Sequence, residues 1–315
     1  MKVGFIGLGT MGRHMAANLQ KGAHDLVVYD VRKDAAESHV KNGARFVDSP
    51  RAVAEAADVV FTSLPGPAEV EQVALDEKQG LLAGLTAGKA FFDLSTNSPT
   101  VVRKIHAIFK ARGVDMLDAP VSGGPKGAES GRLALWVGGD EAVYKKLKPV
   151  LDAIGDQPYY VGPIGAGSVA KLVHNCAGYM IQTAMAEVFT MGVKAGVDPL
   201  AIFKAVRQGA RGRVRTFDSL ADNFLPAKFD PPSFALRLAH KDVSLATGVG
   251  REFGVPMRLC ELTLMEMTEA LNRGWAERDS RVSMLLQLER AGLTFQVDEA
   301  TVKQIIKEDP PALSL

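Results

Sequence analysis

One lysine lies within an apolar stretch near the middle of the chain, Val169-Ala170-Lys171-Leu172-Val173, and Asn175 follows it four residues later. On a helix, residues with this spacing share one face. An amine that can exchange a proton would then stand beside an amide that can orient a small molecule. Most lysines on helices are solvated, and the apolar neighbours are what favour a catalytic acid/base role for Lys171, with Asn175 as its partner.

A glycine-rich motif, Gly7-Leu8-Gly9-Thr10-Met11-Gly12, follows the first apolar run and precedes a helical pattern. The first glycine allows a tight turn, the second lets the backbone approach a pyrophosphate, and the third lets helix and strand pack closely. The helix N-terminus then faces the phosphates. In this context the motif predicts that these six residues bind a dinucleotide; a glycine turn without a ligand is the alternative.

An aspartate ends the next apolar run, where Leu26-Val27-Val28-Tyr29 is followed by Asp30. A ribose-binding acid is expected about this far from the glycine motif. A carboxylate there accepts hydrogen bonds from the ribose 2′-hydroxyl and repels a 2′-phosphate. The sequence therefore predicts NAD over NADP, although Arg32 and Lys33 follow closely and could moderate the preference.

Two later strand ends are expected to line the same crevice, because ligands of open α/β sheets sit at the carboxyl ends of strands. Ser63-Leu64-Pro65 ends one apolar run, and Asp93-Leu94-Ser95-Thr96 ends another. We predict that Leu64, Pro65 and Thr96 contact the cofactor. Ordinary loop capping is the alternative for both stretches.

Short apolar runs alternate with helical segments through the first half of the chain. This is typical of parallel βαβ units in a Rossmann-type, doubly wound sheet, and the fold class predicted is α/β. The predicted strands are residues 3–7, 26–29, 59–64, 90–94 and 114–117, with edge strands at 133–137 and 159–161. Helices are predicted at residues 11–20 and 33–42.

The pattern changes after the glycine-rich stretch at residues 162–167, because apolar residues then recur at three- and four-residue intervals. We predict an NAD-binding domain at residues 1–163. An all-α substrate and oligomerisation domain is predicted at residues 164–315, opened by a long helix from Ser168, and its apolar helices predict a homodimer or homotetramer. Prolines predict a loop between helices at Pro226, Pro231 and Pro232, and a loose tail over the last dozen residues at Pro310 and Pro311.

Bulk properties argue against several classes of protein. Lys plus Arg total 37 and Asp plus Glu total 36, so the formal net charge of +1 favours neither nucleic acid nor an anionic membrane as a partner. The longest apolar stretch, residues 177–197, is interrupted by Gln182, Glu187 and Lys194, which predicts a buried helix and not a membrane span. No secretory signal is recognised, so a cytoplasmic location is expected.

The side chains that commonly bind metals are few and scattered. Cys176 and Cys260 have no ligand spacing and are expected to be free, buried thiols. The six histidines form no pair with a recognisable metal spacing. The sequence therefore predicts no metal site.

Four stretches, in this order and spacing, resemble the 3-hydroxyisobutyrate dehydrogenase family of β-hydroxyacid dehydrogenases over nearly the whole chain. They are residues 4–12, Asp118-Ala119-Pro120-Val121-Ser122-Gly123-Gly124, residues 162–175 and Lys241-Asp242. The resemblance implies reversible, NAD-dependent oxidation of a small 3-hydroxy acid such as 3-hydroxyisobutyrate to its semialdehyde. It implies that Lys171 takes the hydroxyl proton as hydride leaves for the nicotinamide.

The resemblance also implies binding roles. The substrate, chiefly its carboxylate, would be held by Ser122, Gly123, Gly124, Lys171 and Asn175. A Ser-Gly-Gly turn agrees with this role, since it can offer a hydroxyl and approachable backbone N–H groups to an anion. Lys241 matches a family lysine that contacts the cofactor near the nicotinamide, with a surface ion pair or cap as the alternative.

Substrate identity stays open among 3-hydroxyisobutyrate, 2-(hydroxymethyl)glutarate, serine, 3-hydroxypropionate and sugar-acid relatives. A basic segment departs from the family pattern and contains Arg207, Arg211, Arg213 and Arg215. These arginines are expected to be solvated or to lie between the domains. The alternative is that they bind an additional acidic group of the substrate. Two competing functions are a tartronate, glyoxylate or succinate semialdehyde reductase and a non-catalytic dinucleotide-binding module. Asp30 argues against the first, and the presence of Lys171, Asn175 and Ser122 argues against the second.

Overall fold

The computed structural model describes residues 1–22, 24–194, 196–209, 216–252 and 256–308. The chain forms two compact units, Met1–Val173 and His174–Leu315. The domain boundary predicted after residue 163 stays a prediction.

The first unit is built on one mixed sheet. Its strands are β1 Lys2–Ile6, β2 Asp25–Tyr29, β3 Arg45–Phe46, β4 Val59–Thr62, β5 Ala90–Asp93, β6 Asp115–Asp118, β7 Val121–Ser122, β8 Ala134–Gly138 and β9 Gln157–Gly162. The order is β3-β2-β1-β4-β5-β6-β8-β7, with β9 paired to β8. From β3 to β6 all neighbours are parallel, so their carboxyl ends meet at one edge of the sheet.

Helices cover both faces of this sheet. They are α1 Gly12–Lys21, α2 Glu37–Lys41, α3 Pro50–Ala56, α4 Pro67–Leu75, α5 Leu81–Gly84, α6 Pro99–Lys110, α7 Gly124–Ser130 and α8 Glu141–Leu151. Neighbouring phenylalanines on β5 point to opposite faces, since side chains alternate along a strand. Phe92 packs beside Phe61 in one apolar cluster, while Phe91 packs against Phe109 in the other.

The predicted Rossmann-type α/β fold is confirmed, with differences in detail. The strand predicted at residues 133–137 is β8, and its edge position was wrong, because β8 pairs with β6 and β7 antiparallel and with β9 parallel. The two-residue strands β3 and β7 are too short to give an alternating pattern and were missed. The helix predicted at residues 33–42 is a 3-10 turn, Lys33–Ala36, followed by α2.

The helix α9, Ala166–Lys194, starts two residues before the predicted Ser168 and has 29 residues, beginning in the first unit and ending in the second. The further helices of the second unit are α10 Pro199–Gln208, α11 Leu236–Glu252, α12 Arg258–Asn272, α13 Leu285–Arg290 and α14 Glu299–Glu308, with 3-10 turns at Thr216–Leu220 and Ser280–Met284. The described part of this unit contains no strand beyond the isolated bridge between Ala235 and Asp279. The predicted helical second half is thereby confirmed.

The second unit has its own aromatic core, in which Phe189, Phe203 and Phe224 are buried. The loop predicted from the prolines lies between the 3-10 turn Thr216–Leu220 and α11. A loose tail over the last dozen residues was wrong for residues 304–308, which are helical, because Val302 and Ile305 of α14 are buried in this core. Pro310 and Pro311 lie outside the described residues.

Within the described ranges, no helix is long and apolar enough to cross a membrane. The same residues contain no group of three or more His, Cys, Asp or Glu side chains that could hold a metal ion. Cys176 and Cys260 are free and buried, as predicted.

Candidate active site

The glycine motif forms the connection between β1 and α1 in the first unit. Gly7 has a φ of +92°, a conformation that glycine adopts readily and other residues rarely. A Cβ on Gly12 would lie 1.8 Å from the Gly7 carbonyl oxygen, so only glycine lets α1 approach β1 this closely. A Cβ on Gly9 would meet no atom within 4 Å, which leaves the backbone accessible. These are the steric properties that a bound pyrophosphate requires.

Asp30 lies directly beside this loop. Its Oδ2 accepts a hydrogen bond from the Leu8 N–H at 2.7 Å, and its Oδ1 accepts one from the Arg32 N–H at 2.8 Å. These two hydrogen bonds fix the side chain, and Asp30 is half-buried, so the residue stays partly accessible to solvent. A carboxylate held in this way can accept hydrogen bonds from a ribose.

The end of β4 also borders the glycine loop. A Cβ on Gly7 would come within 2.3 Å of the Ser63 carbonyl oxygen and 3.0 Å of Leu64 Cδ2. The Leu64 N–H donates to Ser95 Oγ at 2.9 Å, which joins this strand end to that of β5. Four predicted residues, Gly7, Leu8, Asp30 and Leu64, are therefore neighbours.

The other predicted cofactor residues of the first unit follow the same elements. Thr10 is exposed and Met11 half-buried at the start of α1, Pro65 is exposed after β4, and Thr96 is half-buried after β5. Cofactor contacts of these four residues stay predictions.

A buried carboxylate under this edge, Asp93, had no role in the sequence interpretation beyond marking a strand end. Its Oδ1 accepts from Thr62 Oγ1 at 2.9 Å and from the Ser95 N–H at 3.0 Å, and its Oδ2 accepts from Asn97 Nδ2 at 2.8 Å. Burial raises the pKa of Asp93, and these donors oppose the rise. Asp93 thus fixes Ser95, which in turn holds Leu64. The alternation Asp93-x-Ser95-x-Asn97 at a strand end was the available signal.

The predicted anion-binding turn starts at the end of β7. Ser122 is half-buried, and the next two residues are exposed glycines with positive φ, +133° at Gly123 and +61° at Gly124. A Cβ on Gly124 would meet no atom within 4 Å. The backbone is therefore open at Gly124, as the predicted role requires, and the substrate contact stays a prediction.

A second buried carboxylate, Asp118, holds the first turn of α9. Its Oδ1 accepts from the Gly165 N–H at 2.7 Å, and its Oδ2 accepts from the Ser168 N–H at 2.6 Å and from Ser168 Oγ at 2.8 Å. Burial raises the pKa of Asp118, while the donors lower it. A Cβ on Gly167 would lie 2.1 Å from the Trp136 carbonyl oxygen, so the helix also starts tight against β8. Asp118 satisfies backbone donors that a helix start leaves unpaired.

Lys171 and Asn175 both lie on α9, four residues apart, and both are half-buried. Their side chains therefore leave the helix on one face, as the spacing predicted. The N-terminal anchoring by Asp118 fixes the helix less than one turn before Lys171. The catalytic role of the pair stays a prediction.

In the second unit, Asp242 connects two predicted site residues. Its Oδ2 accepts from Asn175 Nδ2 at 2.6 Å, and its Oδ1 lies 3.0 Å from Lys241 Nζ. Only 1% of Asp242 is exposed. We call these three residues the Asp242 network. The ion pair given as the alternative interpretation of Lys241 is present. The Asp242 carboxylate is buried, however, and its other oxygen accepts a hydrogen bond from Asn175.

The basic segment is described only at its first arginine. Arg207 was expected to be solvated or interdomain, which is wrong. Its guanidinium is buried within the second unit, with Nε 2.9 Å from Asp218 Oδ1 and Nη1 donating to the Ile305 carbonyl at 3.0 Å. Three further arginines lie outside the described residues: Arg211, Arg213 and Arg215.

The glycine loop, the carboxylate at the end of β2 and the open strand ends together define a dinucleotide-binding fold of the oxidoreductase type. Comparison with known proteins agrees. Residues 2–162 match the family model for the NAD-binding domain of 6-phosphogluconate dehydrogenase. Residues 165–287 match the model for the NAD-binding of NADP-dependent 3-hydroxyisobutyrate dehydrogenase.

Relatives match along most of their length. The chain is 37% identical to 2-(hydroxymethyl)glutarate dehydrogenase of Eubacterium barkeri, over 82% of this chain and 85% of that protein. It is 35% identical to NAD-dependent L-serine dehydrogenase of Pseudomonas aeruginosa, over 89% and 96%. A solved structure of Mycobacterium tuberculosis 3-hydroxyisobutyrate dehydrogenase with L-serine has a TM-score of 0.80 at 30% identity, covering 90% of this chain and 98% of that one.

The chain therefore belongs to the 3-hydroxyisobutyrate dehydrogenase family of β-hydroxyacid dehydrogenases. It is an NAD(P)-dependent oxidoreductase that acts on CH–OH donors.

Proposed function

We propose that the protein oxidises a small 3-hydroxy acid, such as 3-hydroxyisobutyrate, to its semialdehyde, with Lys171 as general acid/base. The observation that carries this proposal is the anchoring of the helix that bears Lys171 and Asn175. Asp118 holds the first turn of α9, and Asp242 holds the Asn175 side chain. A helix face fixed in this way suits a proton-transfer group, because such a group must be held within hydrogen-bond reach of the substrate.

In the proposed reaction, unprotonated Lys171 accepts the hydroxyl proton of the substrate at Nζ and returns it in the reverse direction. Asn175 orients the hydroxyl or the carboxylate. The Ser122 hydroxyl and the backbone N–H groups of Gly123 and Gly124 bind the carboxylate. Bound NAD supplies the hydride acceptor.

We propose NAD as the preferred cofactor. The backbone of the glycine motif would hold its pyrophosphate and Asp30 its ribose, and the remaining contacts would come from Leu64, Pro65, Thr96 and Lys241. Asp30 supports the preference, since its carboxylate repels a 2′-phosphate. Arg32 opposes it, because an exposed guanidinium beside Asp30 could attract that phosphate.

A substrate panel tests the activity and the cofactor together. Initial rates would be measured with 3-hydroxyisobutyrate, L-serine, 2-(hydroxymethyl)glutarate and 3-hydroxypropionate, each with NAD and NADP at equal concentration. We expect reduction of NAD with at least one of these acids and a slower reaction with NADP. A large advantage for NADP would overturn the cofactor preference. Absence of turnover across the panel, together with tight NAD binding, would favour a dinucleotide-binding module.

The variant Lys171→Ala tests the proton-transfer role. Turnover should fall by about 10²–10⁴-fold, the range typical of a lost general acid/base, while calorimetry should show unchanged NAD binding. Lys194→Ala is the matched control, because Lys194 lies on the same helix and its Nζ donates to the Ala291 carbonyl, a contact with no proposed role in the reaction. Near-normal turnover in Lys171→Ala would end the proposed mechanism.

We also propose that the protein assembles as a homodimer or homotetramer through its helical half. Leu259, Leu262 and Met265 on α12 are between 40% and 67% exposed. Three large apolar side chains at helical spacing support a face that another copy covers. Light scattering coupled to gel filtration measures the mass directly, and a monomer at micromolar concentration would contradict the proposal.

A further inference from the structure

Asp242 lies on α11 and is almost inaccessible to solvent, and each of its carboxylate oxygens lies close to a polar side chain. One oxygen accepts from the Asn175 amide at 2.6 Å, and the other lies 3.0 Å from the Lys241 ammonium. Asn175 and Lys241 are the two residues of the second unit assigned to substrate and cofactor above. A single buried group thus contacts both.

The chemistry of the carboxylate determines how Asn175 is presented. An ionised carboxylate can only accept hydrogen bonds, so the Asn175 side chain must turn its Nδ2 towards Asp242. Its Oδ1 and the second N–H of Nδ2 are then presented in fixed directions. Without Asp242, the two ends of the amide could exchange places, and an acceptor would stand where a donor is needed.

Asp242 also lies beside a cationic side chain. Lys241 supplies the opposite charge, which a buried carboxylate needs. Cys176 and Tyr179 on α9 also lie near Asp242, and the raised pKa of each keeps it uncharged near neutral pH. Burial raises the pKa of Tyr179 well above its usual value, and a thiol–thiol hydrogen bond with Cys260, together with burial, raises the pKa of Cys176. Lys241 is therefore a charged partner of Asp242.

We propose that Asp242 is a positioning residue, which fixes the Asn175 amide in one orientation and holds the Lys241 ammonium in place. This inference rests on the proposed function, since it concerns how the hydroxy acid and the cofactor are oriented. In this proposal Asp242 acts through its two neighbours and not by binding either ligand itself.

Asp242→Asn is the direct test, because it keeps the size of the side chain and removes the charge. The new amide can donate as well as accept, so the orientation of Asn175 is no longer determined. We expect kcat for the hydroxy acid to fall by about 10²-fold, the effect of a misplaced reacting group, with a smaller change in the KM for NAD. Thr247→Val is the matched control on α11. Thr247 is buried and donates to the Ser244 carbonyl, a contact with no proposed role in the reaction, so its variant should keep normal kinetics.

A double-mutant cycle separates positioning from a general structural effect. If Asp242 acts through Asn175, then Asp242→Asn should cost much less in the Asn175→Ala background than in the wild-type protein. Wild-type kinetics in Asp242→Asn, or losses that multiply fully in the double variant, would overturn the inference. A wild-type protein inactive across the substrate panel would remove the proposed function and this inference together; activity with an unaffected Asp242→Asn would remove this inference alone.

Asn175→Asp provides a second test of the positioning role of Asp242 if the Asp242→Asn variant does not fold. It places two carboxyl groups in contact, and such a pair must share a proton. The introduced carboxyl group, when protonated, could still donate to Asp242, so turnover should recover as the pH is lowered and fall as the pair loses its proton. A pH profile parallel to that of the wild-type protein would contradict the inference.

Discussion

The glycine loop of the first unit and the Asp242 network of the second unit are built by different physics. In the loop, backbone sterics decide the geometry: the Gly12 position tolerates no Cβ, and Gly7 adopts a positive φ. In the network, side chains 67 residues apart decide it, with one carboxylate joining Asn175 and Lys241. A short segment of sequence specifies the first, whereas only the tertiary fold specifies the second.

The first test of this contrast, and the largest expected effect, concerns two glycines of the same loop. Gly12→Ala would force a Cβ to within 1.8 Å of the Gly7 oxygen, so we expect a loss of about 3 kcal/mol or more in the free energy of unfolding. Gly9→Ala meets no atom within 4 Å, so its stability should change by less than about 1 kcal/mol. Its NAD affinity should nevertheless fall by about tenfold or more, because the added methyl occupies space needed by the pyrophosphate.

Urea unfolding and calorimetric titration with NAD measure the two effects separately. The contrast fails if Gly12→Ala is as stable as the wild-type protein. It also fails if Gly9→Ala binds NAD normally, since the open space at Gly9 would then have no role in binding.

What could be predicted from the sequence follows the same division. All seven predicted strands have a counterpart at the expected residues. The first five are largely buried apolar runs, which carry their own signal. The edge position predicted for β8 was wrong, because β8 pairs with β6, β7 and β9. The residues of β8 alone do not show which strands will pair with it. Within the site, Gly7, Leu8, Asp30 and Leu64 were predicted and lie together, since parallel strands end at one edge.

The residues that sequence reasoning missed are buried acids: Asp93, Asp118 and Asp242. Each stands within a stretch quoted in the sequence analysis, but its role depends on at least one partner that is distant along the chain. Arg207 shows the reverse error. Its side chain was predicted to be solvated or interdomain, but it is buried against Asp218 and the Ile305 carbonyl. Side-chain partners of this kind cannot be derived from local spacing, because burial and the partner's position are both properties of the tertiary fold.

The second prediction tests the same contrast within the first unit, where the Asp118 side chain contacts residues that are distant along the chain. In Asp118→Asn, an amide N–H must face one of the three donors from Gly165 and Ser168, so one buried donor loses its acceptor. We expect a loss of about 1–3 kcal/mol in the free energy of unfolding. Turnover should fall more than NAD affinity, because the start of the helix that carries Lys171 would shift.

Ser168→Ala is the control for Asp118→Asn. It removes one hydroxyl donor and leaves both backbone N–H groups paired, so it should cost only about 1 kcal/mol. Equal unfolding curves for Asp118→Asn and the wild-type protein would show that the anchor contributes nothing to stability.

The smallest expected effect concerns a long-range pair that belongs to no predicted site. His39 on α2 is 3% exposed, and its Nδ1 makes a hydrogen bond with Gln20 Oε1 at 3.1 Å. Burial lowers the pKa of His39 from its usual 6.5. As the pH falls below about 6.5, the unfolded chain therefore takes up a proton that the folded protein resists, and stability is lost between that pH and the lower folded pKa. Above that window, the contribution is fully present.

His39→Gln should accordingly reduce the acid-side loss of stability by about 1 kcal/mol or less. Urea unfolding at several pH values between about 7.5 and 5 measures the difference. His14→Gln is the matched control, since His14 lies half-exposed on α1 beside Arg13. Parallel pH dependences for His39→Gln and the wild-type protein would show that this buried side-chain pair does not influence acid stability. In the first unit, side-chain contacts between residues distant in sequence would then affect stability only where they anchor an element that carries site residues, as at Asp118.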